Sequence, residues 1–307
     1  MKYPLKLKYV PKTALWGGST LKNEWGKPCD FDKLSETWEL TARDDAVNTI
    51  LNGKYADKTL FEYFLENPDA VNDGKFPLLI KFIDAEDKLS LQVHPDDKFA
   101  ADVEKDVGKT EMWYIADAKD GAEIIYGMKN GILKFDPSDI EGQIEKIPVK
   151  KGDCFFIPSG MLHAIGSGCL IAEIQQNSDL TYRVYDYDRR DSKGNLRELH
   201  TEKALAVIKP FSDAEIEAIR YSKPDEIGVG DCLASCEYFN VNRISLDGKE
   251  TLCAGDVFHS LLCVEGDGMI EANGESYPFK RGDSYFIPAG LGEYAIDGKA
   301  TVIISRT

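Results

Sequence analysis

The chain of 307 residues has room for two domains, and its 43% hydrophobic and 29% charged residues are the mix of a soluble globular protein. A net charge of −16 argues against nucleic acid or an anionic membrane as partner; a small anionic substrate would need a local cluster of Lys and Arg to overcome that field. No stretch approaches the roughly 18–20 apolar residues of a membrane span, and the N-terminus lacks the unbroken apolar run of a signal peptide. Seven cysteines, with no zinc-ribbon or thioredoxin spacing, read as reduced thiols in a cytoplasmic protein.

Residues 1–55 carry Trp16-Gly-Gly and Ser35-Glu-Thr-Trp38-Glu-Leu between polar turns, a pattern of short strands and loops. Thr59-Leu-Phe-Glu62 has the capping-box spacing of a helix start, with Leu60, Phe61, Phe64 and Leu65 as the expected apolar stripe and Pro68 as the stop. Phe76 to Ile83 reads as a buried strand, unusual for holding Lys81. Leu89 to His94 alternates, placing Leu89, Leu91 and Val93 on one face and Ser90, Gln92 and His94 on the other. Pro95-Asp-Asp begins a short helix, and Lys109-Thr-Glu111 starts another strand. Further on, Leu170 to Gln176 reads as a strand with Glu173 and Gln175 on the face opposite Ile171. Helices are expected near 201–208 and after Ser212. Beyond about 225 the pattern is one of short strands and Gly-rich turns, with no flexible linker before it.

The most informative stretch is Gly152-Asp-Cys-Phe-Phe-Ile-Pro158-Ser-Gly160-Met-Leu-His163: turn, short apolar strand, turn, then a histidine opening another apolar run. A second copy, Gly282-Asp-Ser-Tyr-Phe-Ile-Pro288-Ala-Gly290-Leu-Gly-Glu293, keeps every anchor except the last, where glutamate replaces histidine. This spacing resembles the second motif of the cupin superfamily. The resemblance implies a mainly β fold of two jelly-roll-like cupin barrels with a few short helices inserted. The expected division is 1–225, zinc-binding and catalytic, and 226–307, a degenerate unit without metal.

Zinc takes about four ligands from His, Cys and carboxylate. Gln92 and His94 leave one strand face together, Glu111 opens the next strand and His163 comes from the motif. They can converge only if the strands close into a barrel, as the cupin resemblance implies. The sequence around them, Leu89-Ser-Leu-Gln-Val-His-Pro-Asp-Asp, Gly108-Lys-Thr-Glu-Met-Trp-Tyr and Asn177-Ser-Asp-Leu-Thr-Tyr-Arg-Val-Tyr-Asp-Tyr-Asp-Arg, is similar to the type I mannose-6-phosphate isomerases, nearest to their short bacterial members. The similarity reaches back to Trp16-Gly-Gly and forward through the second cupin copy. Ordinary cupins place their first-motif glutamate a few residues after H-x-H, whereas this chain has Q-x-H and a helical insertion before Glu111.

That resemblance implies one zinc per chain on Gln92, His94, Glu111 and His163, and interconversion of mannose 6-phosphate and fructose 6-phosphate through a cis-enediolate. It also assigns function to Arg183, to Glu173 ten residues before it, and to Lys109 two before the zinc glutamate. Arg183 keeps its proton, so it stabilises charge and orients substrate. Glu173 and Lys109 are both candidates for proton transfer, although Glu173 and Arg183 could instead form an ion pair on a barrel wall. A phosphate dianion needs two or more cationic donors: Lys81 and Arg189 are candidates, with Ser90 adding a hydroxyl. The competing readings are a non-catalytic sugar-phosphate-binding cupin and a cupin dioxygenase, the latter disfavoured by glutamine where a third histidine would stand.

Overall fold

The computed structural model describes residues 1–71, 76–191 and 193–307. The chain is mainly β with a few short helices. Its contacts form two compact units, one of Met1–Pro11, Thr37–Lys81 and Tyr221–Thr307, the other of Lys12–Glu36 and Phe82–Arg220. The units interleave along the chain, where the sequence reading cuts it once, between 225 and 226.

In the second of these units, five antiparallel strands run in the order Ile144–Pro148, Glu123–Met128, His163–Ile165, Leu91–Val93 and Tyr182–Tyr185. One face packs an apolar layer of Leu91, Val93, Ile125, Leu162, Tyr182 and Val184 against Ala204 and Val207 of the helix Thr201–Val207. Because side chains alternate along a strand, the other face is left for Tyr126, His163, Gln92 and Arg183. These four are successive cross-strand partners and make one row. A second group of strands, Cys154–Ile157, Glu111–Ala118 and Cys169–Gln176, pairs Glu111 with both Ile157 and Gln175, and Trp113 with both Phe155 and Glu173. Ile171, Glu173 and Gln175 share one face here, contrary to the sequence reading. The ladder is uninterrupted from Ile171 onward, so its two-residue period aligns them. Asp96 caps the helix Asp97–Val103 that separates Q-x-H from Glu111.

Trp16-Gly-Gly marks close packing within the same unit. A Cβ on Gly17 would lie 1.7 Å from Ser35 Oγ, and one on Gly18 would lie 2.3 Å from the Asp84 carboxylate. That carboxylate accepts the backbone N–H groups of Thr20 and Leu21.

The other unit contains an eight-stranded sheet built on three long strands, Asn240–Ala254, His259–Ala272 and Gly292–Arg306. The sequence reading of short strands and Gly-rich turns fails for them. Gly248, Gly298 and Gly268 are cross-strand partners in a single row. A Cβ on Gly268 would approach Asp297 O to 2.4 Å, and one on Gly298 would approach Asp267 O equally closely. These glycines allow close backbone approach inside strands. The interior is filled by Leu261, Cys263, Ile270, Phe279, Tyr294 and Ile304 among others. In this unit Thr59 and Glu62 form the capping box of the helix Leu60–Glu66. Its buried residues are Leu60 and Tyr63, Phe61 and Phe64 are half-buried, and Leu65 is 83% exposed, so the predicted stripe holds at Leu60 and fails at Leu65.

Candidate metal centre

Three buried side chains meet between the two groups of strands: His94 just past the strand Leu91–Val93, Glu111 at the head of its strand, and His163 at the head of its own. His94 Nε2 lies 3.2 Å from His163 Nε2, and the two nitrogens lie 3.4 Å and 3.5 Å from the two oxygens of Glu111. Among the described residues this is the one group of three or more His, Cys, Asp or Glu side chains close enough to share an ion.

The hydrogen bonds fix what these atoms offer. His94 Nδ1 donates to Leu180 O at 2.7 Å and His163 Nδ1 donates to Met161 O at 2.8 Å. A carbonyl only accepts, so each imidazole carries its proton on Nδ1 and turns a lone pair on Nε2 toward the other. Both Glu111 oxygens are buried without a hydrogen bond, although Lys109 Nζ stands 3.1 Å from one of them. Lone pairs facing one another in a buried pocket repel unless a cation lies between them, and His/His/carboxylate is a donor set zinc accepts. The residues fit the metal.

Charge agrees with geometry. Burial first, then the Lys109 ammonium, pushes His94 down to about 3, and burial lowers His163 as well. Burial works to raise Glu111, but Lys109 and the histidines outweigh it and hold the carboxyl well below its ordinary range. Neutral imidazoles beside an ionised carboxylate are the protonation states in which these groups bind metal. Gln92 stands beside the group, its side-chain amide nitrogen 3.4 Å from His163 Nε2; an amide binds metal through its oxygen, the other end of the same group.

Around this centre, Lys109 spans two carboxylates, at 3.1 Å from Glu111 and 3.9 Å from Glu173. Arg183, beside Gln92 in the cross-strand row, donates through Nη1 to Glu198 O at 2.8 Å, while its buried Nε has no hydrogen bond. Burial, then the nearby Arg197 guanidinium, presses the Arg183 pKa below its ordinary value.

The expected phosphate ligands are less uniform. Ser90 is buried two residues before Gln92. Arg189 already donates to Lys88 O at 2.5 Å and pairs with Asp87 at 3.4 Å and Asp186 at 3.8 Å. Lys81 is buried in the other compact unit, its ammonium 5.0 Å above the Trp38 ring.

Trp113 beside the centre and Arg197 near Arg183 escaped the sequence reading. Trp113 is fully buried two positions after Glu111, a spacing that puts both on one face. Arg197 lies 3.5 Å from the buried Asp186, and no periodic pattern marks it. In the second cupin copy, Glu293 is exposed and Tyr294 turns inward, where its hydroxyl meets His259 Nδ1 at 2.8 Å.

Known proteins resemble the chain over its whole length. The family model described as phosphomannose isomerase type I, catalytic domain, matches residues 5–126, and the one described as mannose-6-phosphate isomerase, cupin domain, matches residues 231–307. A mannose-6-phosphate isomerase of Bacillus subtilis is 38% identical over 313 residues, covering 99% of this chain and 98% of the relative. One from Streptococcus mutans is 35% identical over 316 residues, covering 100% and 99%. The crystal structure of the mannose 6-phosphate isomerase from Bacillus subtilis superposes with a TM-score of 0.87 at 34% identity, covering 99% of each chain.

Proposed function

We infer the mechanism from one premise: the chain belongs to the type I mannose-6-phosphate isomerase family, whose members it matches end to end. It is an enzyme of that family. Its reaction is the interconversion of mannose 6-phosphate and fructose 6-phosphate. The observation that carries the assignment of the centre is the convergence of His94 Nε2, His163 Nε2 and both Glu111 oxygens, with each histidine proton committed to a backbone carbonyl.

His94, Glu111 and His163 would hold one zinc ion, with Gln92 as the fourth protein ligand. Bound there, zinc supplies a Lewis acid beside the sugar's carbonyl and hydroxyl oxygens. Glu173 takes the proton from carbon 2 as that bond's electron pair forms the carbon 1–carbon 2 double bond and the carbonyl electrons move onto oxygen, giving the cis-enediolate. The proton then returns to carbon 1, the hydroxyl proton of oxygen 2 moves to oxygen 1, and carbon 2 becomes the carbonyl. Of the two proton-transfer candidates the geometry favours Glu173, because Lys109 is already paired with the metal-site carboxylate of Glu111. Lys109 then steadies the charge of both carboxylates, and Arg183 supports the developing oxyanion and orients substrate. Ser90 and Arg189 remain the candidates for the phosphate within the unit that carries Glu111, and Lys81, in the other unit, is a candidate by family resemblance alone.

Activity is assigned to the unit that carries Glu111 and His163, and the strands beyond Tyr221 are assigned a structural role without metal. A cytoplasmic site of action accords with seven free cysteines and with the lack, among the described residues, of a helix long and apolar enough to cross a membrane. The test is chelation followed by reconstitution. Stripped protein should lose conversion of mannose 6-phosphate in a coupled assay, and Zn²⁺ should restore it. Full activity in a verified metal-free sample would end the zinc assignment, and oxygen consumption would indicate an oxygenase instead.

A further inference from the structure

Trp113 touches both halves of the centre. Its Nε1–H donates to Glu173 Oε2 at 2.9 Å, and its ring meets the His163 ring edge-on, with centroids 5.5 Å apart at 76°. The contact with Glu173 is built into the sheet, since Trp113 and Glu173 are direct cross-strand partners and both are buried. A tryptophan nitrogen is a donor only, so one oxygen of Glu173 is committed as an acceptor. The other, Oε1, is the one nearer Lys109, at 3.9 Å. A carboxylate tied at one oxygen cannot rotate its two oxygens through the site.

We propose that Trp113 is a positioning residue for proton transfer, pinning Glu173 through Oε2 so that Oε1 alone meets the substrate's carbons 1 and 2. This rests on the assignment of Glu173 as the base. The indole loses and gains nothing in the reaction. It holds a single oxygen within reach of both carbons, so that the proton leaving carbon 2 is returned to carbon 1 before it exchanges with solvent. Its edge contact with His163 gives the same ring a fixed place relative to the metal ligands, and the base and the metal centre thereby share one rigid spacer.

The experiment uses Trp113→Phe, which keeps an aromatic ring and removes the N–H, together with Glu173→Gln and the double variant. For Trp113→Phe, kcat should fall about tenfold or more, with KM for mannose 6-phosphate within about twofold and bound metal unchanged. In D₂O the product should carry more deuterium at carbon 1 than wild-type product does. In the Glu173→Gln background, Trp113→Phe should cost less than about twofold further. An equal loss in both backgrounds, or unchanged deuterium incorporation with kcat within about twofold of wild type, would overturn the proposal. If Trp113→Phe does not fold, the wild-type fold supplies the readout: Glu173→Gln should shift one indole N–H resonance among the four tryptophans, and an unmoved set overturns it. Failure of the underlying mechanism looks different, because Glu173→Gln alone would then retain wild-type turnover.

Discussion

The two copies of the cupin motif, 152–163 and 282–293, share a backbone and part ways at one residue. Gly152 and Gly282 both adopt positive φ, at 92° and 88°, and Gly160 and Gly290 do so at 93° and 75°. The apolar strand between the turns is Cys154–Ile157 in one and Ser284–Ile287 in the other. After the second turn the first copy has Leu162, which packs outward under the helix Thr201–Val207, so His163 turns inward to meet His94 and Glu111. The second copy has Gly292 at φ 84° in that place, Glu293 turns out to solvent, and Tyr294 enters the apolar interior. One left-handed residue shifts the alternation of the strand that follows. The same turns therefore deliver a member of the His94/Glu111/His163 group in one unit and a core side chain in the other. A motif's anchors specify a backbone, while the phase of the next strand specifies what that backbone presents.

The comparison can be broken or sharpened by substitution. The largest effect is expected for His163→Ala, which removes one Nε2 donor from the group and leaves Glu111 buried beside a gap. Isomerase activity should fall to background, and added Zn²⁺ should not rescue it at concentrations that restore chelated wild type. Activity within tenfold of wild type would remove His163 from the centre. A smaller effect is expected for Arg183→Lys, where charge is kept and the planar fork is lost. A drop in kcat/KM larger than about twofold, or roughly 0.4 kcal/mol, is predicted. A smaller change would leave Arg183 with only its hydrogen bond to Glu198 O as a role. The smallest is Glu293→Ala, an exposed substitution in the second copy. Stability should stay within about 0.5 kcal/mol and activity should be unchanged, and a clear loss of either would show that the second copy does more than fill its own interior.

Much of this was legible in the sequence because spacing alone carries it. The anchors Gly152, Pro158 and Gly160, the Gln92–His94 alternation and the capping boxes at Thr59 and Ser212 are local patterns, and the structure places each where its spacing requires. What was misread depends on a partner across the sheet. Gly248, Gly268 and Gly298 read as turns because glycine usually marks one, and only their alignment on three strands explains them. Trp113 shares a face with Glu111 by simple alternation, yet its contact with Glu173 exists because two strands distant in sequence are in register. Leu65 was expected in an apolar stripe that the helix instead builds through Tyr63.

The central claim is that the first cupin copy holds a metal and the second does not, and elemental analysis of fully loaded protein tests it most directly. The account predicts about one zinc per chain, lost in His163→Ala and retained in Glu293→Ala and His259→Ala. A reproducible value near two, with the second ion lost on Glu293→Ala or His259→Ala, would contradict it.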